Sequence, residues 1–248
     1  MDQPALRKAD RVADDLMRRI VRGDLTVGSL LPKESELALS YGVNRSVVRE
    51  AIKLLEVHRL VQPRRRRGTQ VLDPLGSLSP EVLRSMLSPQ PGIIDCALFA
   101  DLLEIRAQLD LQMSTLAAER RTESDVVALQ ACHEAMRAAR TDAQQYADAA
   151  SDLALAMARA TGNRIFQMLV QWHERVHTDL ADVMRVVRQP SDAHLQGEQH
   201  LIDCVRRRDV AGAHDLVAAF HRWATPRLLA AAALRTGRPL AEIAGGSP

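Results

Sequence analysis

Two arginines, Arg45 and Arg49, stand four positions apart at the start of a predicted helix. This spacing places both on one face, opposite an apolar stripe of Val48, Ile52 and Leu55. A guanidinium group is planar and can donate two parallel hydrogen bonds to guanine O6 and N7 or to a phosphate. The pair therefore predicts a helix that reads DNA.

The start of the same helix offers groups suited to phosphate. Asn44 is the expected N-cap, and Ser46 lies in the first turn. The first backbone N–H groups of a helix have no partner within it and carry a partial positive charge. We expect a DNA phosphate to meet the helix there.

A second group of arginines, residues 64–67, is followed by Gly68. The flanking residues 60–62 and 69–71 predict two short strands, so Arg65, Arg66 and Arg67 form the tip of a hairpin. Cationic hairpin tips suit the minor groove of DNA. The alternative is that the run is simply a solvated face; its position just after the predicted recognition helix favours the DNA contact.

Motifs for enzyme chemistry are missing from this sequence. We find no nucleophile elbow, no phosphate loop and no metal-ligand spacing, which predicts a protein that is not an enzyme and holds no cofactor. The three cysteines, Cys96, Cys132 and Cys204, form no CxxC or CxxH pair, so we expect them to be reduced and buried.

Charge is unevenly distributed along the 248 residues. Residues 1–72 contain fifteen Lys and Arg against nine Asp and Glu, which leaves the remainder slightly acidic although the whole chain is only +2. A basic first part predicts a polyanion as its partner. Neither a leader peptide nor a membrane span is evident, so we expect a cytoplasmic protein that does not contact membranes.

The elements that position the arginines follow from apolar periodicity and turn residues. Helices are predicted over 10–22, 34–39 and 45–58, followed by the basic hairpin. The turn containing Gly42 separates the last two helices. Helix, helix, turn, helix and hairpin make a winged helix-turn-helix, with the last helix in the major groove.

Turn formers concentrate at 73–80, which predicts a linker between a DNA-binding domain (1–72) and a helical domain (81–236), followed by a loose tail (237–248). The fold class is thus mainly α, with an all-helical C-terminal bundle of six or seven helices. These helices are predicted over 94–120, 122–140, 142–161, 163–188, 191–208 and 210–235, with a short one over 81–87.

The first part resembles the GntR family of transcription regulators. The resemblance lies in GSLLPKESELA (28–38), YGVNRSVVREA (41–51) and the hairpin end at 67–71. It implies that Arg45 and Arg49 are the main DNA contacts, assisted by Lys33, Asn44, Ser46 and the wing. Ser35 stands where some relatives carry a DNA-contacting arginine, so we expect this protein to prefer a different operator sequence from those relatives.

The second part resembles the FCD effector domain of the FadR-like branch, through Glu104-x-Arg106, residues 116–120, residues 160–163 and the segment 202–209. This resemblance implies a homodimer on a two-fold operator, acting as a repressor controlled by a small, carboxylate-bearing effector. A sequence-blind architectural DNA binder is the alternative, but it needs no large helical domain.

Many FCD domains hold a metal through one Asp and three His, and alignment from Asn163 and Asp209 places those positions at Ala150, Ala154, Glu198 and Phe220. We therefore predict an effector domain without metal. A relocated site built from His173, His177, His194 and Glu198 is the alternative. Helical periodicity places Phe220 inward and His221 at the flank.

Arg106 borders the apolar stripe of its helix. A guanidinium beside a cavity needs a partner, which is either an anionic ligand or Asp110 four residues on. The predicted effector site gathers residues from five predicted helices: Arg106, Ala150, Ala154, Asn163, His173, His177, Glu198 and Phe220.

Overall fold

The computed structural model describes residues 7–237 and divides the chain into two compact units between Asp95 and Cys96. The first unit is a winged helix-turn-helix and the second consists entirely of helices. This confirms the predicted mainly α fold class. Apart from Gly237, the predicted loose tail at 237–248 lies outside the described residues.

Within the described residues, the N-terminal unit begins with three helices and a hairpin: α1 (Lys8–Val21), α2 (Glu34–Tyr41), α3 (Arg45–Val57), β1 (Val61–Arg64) and β2 (Gly68–Val71). α1 buries Val12, Leu16 and Ile20 at helical spacing against the core. Gly42 ends α2 in a left-handed conformation with φ +62°, which glycine adopts without steric cost.

β1 and β2 form an antiparallel pair in which Val61 faces Val71 and Arg64 faces Gly68. The segment before α2 extends this wing, because the Leu31 N–H donates to the Thr69 carbonyl at 2.8 Å. Gly68 has φ +112°, a region that side chains disfavour, so glycine is required where the hairpin returns.

The unit boundary differs from the linker predicted over 73–80 and from a helical domain starting at residue 81. A 3₁₀ turn (Pro74–Gly76) and α4 (Pro80–Leu87) follow the wing, and α4 packs on α1. Val82 is fully buried in the core of the N-terminal unit, with Met86 beside it. The turn residues at 73–80 correctly predict a loop, but they do not show which core the following helix packs on. Burial of Val82 assigns α4 to the core of the N-terminal unit.

As far as Gly237, where the description ends, the C-terminal unit contains six long helices and one short one: α5 (Cys96–Arg120), α6 (Glu123–Ala138), α7 (Ala143–Ala160), α8 (Arg164–His177), α9 (Ala181–Met184), α10 (Asp192–Arg207) and α11 (Val210–Thr236). Thr122 and Asp125 form a capping box at α6, and Asn163 caps α8. Tyr146, Leu129, Met136 and Ile202 are fully buried in its core. Among the described helices, none has the length and apolar character needed to cross a membrane.

One predicted helix, over 163–188, is interrupted. α8 ends at His177, a 3₁₀ turn (Thr178–Leu180) and α9 follow, and residues 185–191 are irregular. The Thr178 hydroxyl donates to the carbonyls of Glu174 and Arg175, and such local bonds compete with helix continuation. The spacing of apolar residues contains no information about such hydrogen bonds, so it did not predict that the helix ends at His177. Ile165, an apolar residue in the first turn of α8, is 57% exposed.

Candidate nucleic-acid interface and ligand cavity

The N-terminal unit displays α3 with its two arginines outward. Arg45 and Arg49 are exposed, while Val48 and Leu55 on the opposite face are fully buried. The Asn44 side-chain oxygen accepts from the Val47 N–H at 3.0 Å and from the Ser46 hydroxyl at 2.8 Å. The core and the cap thus fix the direction in which the guanidinium groups point.

Arg49 and Arg45 differ in their surroundings. The Nε of Arg49 donates to Oε2 of Glu34 at 2.8 Å, which brings the start of α2, with exposed Lys33 and Ser35, next to α3. No other described residue forms an ion pair or side-chain hydrogen bond with Arg45. Its five N–H donors are available to an external acceptor.

The wing tip carries three further exposed guanidinium groups, those of Arg65, Arg66 and Arg67. Their side chains have no partner among residues 7–237, whereas Arg64 donates from Nε to the Gln70 side-chain oxygen at 2.8 Å. Arg66 itself lies in the left-handed region with φ +60°. The hairpin therefore presents these three cations at its turn, as the sequence predicted from the run and its glycine.

The C-terminal unit encloses a cavity of about 550 Å³, within the usual range for small-molecule sites. Its walls come from α5, α7, α10, α11 and the irregular segment 185–191. Most of the lining is apolar: Met113, Leu153, Met157, Val186, Val187, Leu201, Leu216, Val217 and Trp223. We call this space the large cavity.

Of the eight predicted effector residues, five line the large cavity: Arg106, Ala150, Ala154, Glu198 and Phe220. The other three do not. Asn163 caps α8 by accepting from the Ile165 N–H at 2.9 Å, His173 borders a small neighbouring cavity, and His177 is buried beside His173. Sequence spacing along α8 could not show which side of that helix faces the cavity.

Arg106 lines the large cavity and is paired with Asp110, while its contact with an anionic ligand stays a prediction. Its Nε lies 3.3 Å from Oδ2 of Asp110, which also lies 3.1 Å from Nε2 of His221. Burial by itself raises the pKa of the Asp110 carboxyl, but the charge of Arg106 and the hydrogen bond from His221 outweigh it and hold this pKa at about 2. Asp110 is therefore an anion that orients Arg106.

Arg188 lines the large cavity as well, and sequence reasoning missed it because residue 188 was assigned to the end of a helix. Its nearest carboxylate oxygen belongs to Glu174, at 3.8 Å. Burial lowers the pKa of Arg188, and the neighbouring positive charge of Arg106 lowers it further. The only sequence signal is a lone arginine after the apolar pair Val186 and Val187.

Two residues in another wall of the large cavity, His194 and Glu198, continue a short polar chain from the buried Tyr146. The Tyr146 hydroxyl lies 2.6 Å from Nδ1 of His194, and Nε2 of His194 lies 3.4 Å from Oε1 of Glu198. Burial, with the charge of Glu198, raises the pKa of Tyr146 to about 12, so the hydroxyl stays protonated beside His194.

The residues present do not fit the metal that many FCD domains hold. Ala150, Ala154, Glu198 and Phe220 do share one cavity, but only Glu198 has a donor atom, and His194 already contacts it. Throughout the described ranges, no three His, Cys, Asp or Glu side chains gather as a cation site. The histidines proposed for a relocated site are also divided, because His173 and His177 pair on α8 while His194 lines the large cavity.

Phe220 faces the large cavity, as predicted, whereas the prediction that His221 lies at the flank was wrong, because His221 lines the cavity too. Phe220 lines the large cavity but is 37% exposed, whereas the His221 side chain is only 11% exposed. The physical reason is the contact between His221 and Asp110, a polar interaction across α5 and α11 that apolar periodicity ignores.

An exposed arginine-bearing recognition helix with a cationic wing, joined in one chain to a cavity-bearing helical unit, defines a winged-helix transcription regulator. A model of the gntR family of bacterial regulatory proteins matches residues 8–71, and a model of the FCD domain matches residues 101–222. The chain belongs to the GntR family, in its FCD-containing, FadR-like branch, and binds DNA.

Curated relatives support this assignment. The chain is 34% identical to an uncharacterised HTH-type transcriptional regulator of Mycobacterium tuberculosis over 68% of this chain and 67% of the relative. It is 30% identical to the HTH-type transcriptional regulator LutR of Bacillus subtilis over 68% and 74%, respectively. The galactonate operon transcriptional repressor of Escherichia coli is 29% identical over 66% and 71%.

A solved structure agrees with the fold. Lar, which controls the expression of the Listeria monocytogenes agr system, aligns over 91% of this chain and 98% of its own with a TM-score of 0.61. At 18% identity, this likeness concerns the fold alone.

Proposed function

We propose that this protein represses transcription and that an organic acid bound in the C-terminal unit controls its affinity for operator DNA. The observation that carries the proposal is the large cavity, whose apolar walls surround the guanidinium group of Arg106. Cavities of this kind bind a small molecule by its apolar body and fix its orientation through a few polar groups.

On the DNA side, Arg45 and Arg49 contact base edges in the major groove, and the start of α3 at Asn44 and Ser46 meets a phosphate. Lys33 and Ser35 lie beside this surface at the start of α2. The wing, with Arg65, Arg66, Arg67 and Gly68, contacts the minor groove or its phosphates. Support comes from the exposure of these residues and from the buried stripe that fixes α3.

The protein acts as a homodimer on a two-fold operator. A single winged domain reads only a few base pairs, and two copies related by a two-fold axis read two half-sites.

The effector binds without a transition metal. Its carboxylate pairs with Arg106, because a half-buried guanidinium has only part of its donors engaged by Asp110. Ala150 and Ala154 leave space for an apolar body. A small hydroxy acid that depends on metal chelation fits this cavity poorly.

The effector changes the affinity of the dimer for operator DNA only under one condition. It must bind one relative placement of the two DNA-binding units more tightly than another. By linkage, operator DNA then weakens effector binding by the same factor that effector weakens DNA binding.

A thermal-shift screen of medium-chain monocarboxylates tests the effector half of the proposal. A hit raises the melting temperature of the wild type and lowers its affinity for a promoter fragment in the presence of excess random DNA. Arg106→Gln abolishes the shift, whereas Arg137→Ala, an exposed change on α6, preserves it. An undiminished shift in Arg106→Gln would return Arg106 to a purely structural role, and equal affinity for random DNA would indicate an architectural DNA binder.

A further inference from the structure

The wing has a buried face and an outer face. Val61 and Val71 are buried in the core of the N-terminal unit, and Arg64 lies directly opposite Gly68 in the antiparallel pair. Because side chains alternate between the two faces of a strand, Arg64 and Gln70 share the outer face. Gly68 has no side chain, so Arg64 has no directly opposite neighbour and extends diagonally to Gln70, two residues further along β2.

Gln70 is held at both ends of its amide. Its Oε1 accepts from Nε of Arg64 at 2.8 Å, and its Nε2 donates to the Gly28 carbonyl at 3.1 Å. The Gly28 N–H donates in turn to the Val71 carbonyl at 2.9 Å, so Gly28 is itself tied to β2. Only one orientation of the amide satisfies both partners, because a flipped amide would set donor against donor and acceptor against acceptor. Gln70 therefore gives the guanidinium group of Arg64 a fixed direction.

Arg64 keeps most of its hydrogen-bonding capacity in this arrangement. Its Nε is engaged by Gln70, but its two Nη groups have no partner among residues 7–237. The side chain is exposed, so these groups are accessible to DNA. The bond to Gln70 restricts the rotamers of Arg64 before DNA binds, and a side chain that is already restricted loses less entropy on binding.

The three residues of the turn, Arg65, Arg66 and Arg67, lack such a support; we call them the tip arginines. They are exposed and have no side-chain partner in the described part of the chain. A cation that changes direction still attracts phosphates, because this attraction does not depend on sequence. In the minor groove, however, A·T and G·C pairs differ by the N2 amino group of guanine. Distinguishing them requires a donor held in one place, which Arg64 provides and the tip arginines do not.

We propose that Arg64, positioned by Gln70, is the residue through which the wing reads the minor groove, and that the tip arginines bind phosphates without regard to sequence. The guanidinium group prefers A·T pairs, because their narrow minor groove concentrates negative potential and has no guanine amino group in the way. Gln70 acts through Arg64 and is a positioning residue. This inference rests on the proposed contact of the wing with DNA, because it divides that contact between base reading and phosphate binding.

The test uses the full chain and an operator selected with it from random duplexes. In the base pairs that flank each half-site, adenine is replaced by 2,6-diaminopurine, which adds an amino group in the minor groove and leaves the major-groove edge of adenine unchanged. The selected flanks are rich in A·T pairs, and wild type binds the modified operator about tenfold more weakly, the usual cost of one mismatched base pair. Fluorescence anisotropy measures both affinities, and their ratio reports the discrimination.

Matched variants assign the discrimination to residues. Arg64→Ala binds the two operators equally. Gln70→Met, which keeps the length of the side chain but removes the acceptor, loses most of the discrimination although Arg64 is present. Gln62→Met makes the same chemical change directly opposite Gln70 and keeps the wild-type ratio.

The salt dependence of binding separates loss of positioning from damage to the wing. Gln70→Met keeps most of the wild-type slope of log affinity against log salt, because the tip arginines remain in place. The double variant Arg65→Ala with Arg67→Ala has the reverse effect: the slope falls, and the discrimination ratio stays at the wild-type value. If the slope of Gln70→Met falls as far as that of the double variant, Gln70 only supports the fold of the wing, and its positioning role is overturned.

The assignment of Arg64 is overturned if wild type binds both operators equally, or if Arg64→Ala keeps the full wild-type ratio. In either case, the proposed contact of the wing with DNA stands as long as the double variant lowers the slope. If the slope of the double variant is also unchanged, that contact and this inference fail together.

Discussion

Arg49 of the recognition helix is already paired in the free protein, because its Nε lies 2.8 Å from Oε2 of Glu34. The two groups are 64% and 38% exposed, so water screens the contact and its contribution is small. In the proposed complex with DNA, the Arg49 guanidinium must share or exchange this carboxylate for a base or phosphate. Arg45 has no such competitor among the described residues.

The first prediction concerns the two recognition arginines. Arg45→Ala and Arg49→Ala each weaken specific operator binding by about 1–3 kcal/mol, the usual loss of one bidentate base contact. Fluorescence anisotropy with operator and scrambled duplexes measures the loss. Arg137→Ala serves as the matched control. Wild-type affinity in both recognition variants would contradict the assignment of α3 to the major groove.

The second prediction is a gain in affinity for DNA. Glu34→Gln removes the carboxylate that competes for Arg49 and also removes a negative charge near the phosphates, so DNA binds about two- to fivefold more tightly. The same anisotropy titration measures this gain. In Arg49→Ala, the gain from Glu34→Gln shrinks, because there is no guanidinium to release. Weaker DNA binding by Glu34→Gln means that Glu34 positions Arg49 rather than competing with DNA.

The third prediction concerns the wing. Arg65→Ala together with Arg67→Ala lowers affinity for all duplexes alike and reduces the slope of log affinity against log salt by up to about two units. Arg66 is left unchanged because it lies in the left-handed region, where a substitution could alter the turn. Titrations at four salt concentrations give the slope. If the slope stays at its wild-type value, the wing arginines form only a solvated face.

The fourth prediction links stability to pH through the histidines of α8. The ordinary pKa of histidine is about 6.5. Burial lowers the pKa of His173 to about 4, and burial also lowers the pKa of His177. Between pH 6.5 and 4 the unfolded chain therefore binds protons that the folded chain does not. Stability is highest above pH 6.5 and falls with acidification, by about 2 kcal/mol at pH 5 from His173 alone.

His173→Gln tests this linkage, because glutamine does not titrate. The change in unfolding free energy between pH 7 and pH 5 becomes smaller by about that amount, while in His214→Gln it stays as in the wild type. Urea titrations followed by tryptophan fluorescence report on the relevant unit, because both tryptophans, Trp172 and Trp223, lie in it. An unchanged pH dependence in His173→Gln would show that folding does not lower the pKa of this imidazole.

The fifth prediction is that effector binding needs no transition metal. Three of the four family ligand positions, Ala150, Ala154 and Phe220, have no donor atom. Elemental analysis of protein purified without a chelating tag gives substoichiometric zinc, nickel and manganese, and dialysis against a chelator leaves the acid-induced thermal shift unchanged. Stoichiometric metal, or a shift lost on chelation, contradicts this prediction.

The sequence by itself determined the DNA-binding unit almost completely. Its information is local: Asn44 caps α3, the spacing of Val48, Ile52 and Leu55 sets the buried face, and Gly42 and Gly68 mark conformations with positive φ. When caps, periodicity and turns agree, the direction of Arg45 and Arg49 follows from helix geometry alone. The same periodicity predicted the long helices of the second unit.

Only the tertiary structure decided how side chains from distant helices meet. The contact of Asp110 with His221 joins residues 111 positions apart, and it holds His221, predicted at the flank, in the wall of the large cavity. The place of Arg188 depends on where α9 ends and residues 185–191 cross the cavity. Helical spacing gives a residue's angle on its own helix, whereas a cavity depends on how several helices pack, so the polar groups around it could not be deduced from the sequence.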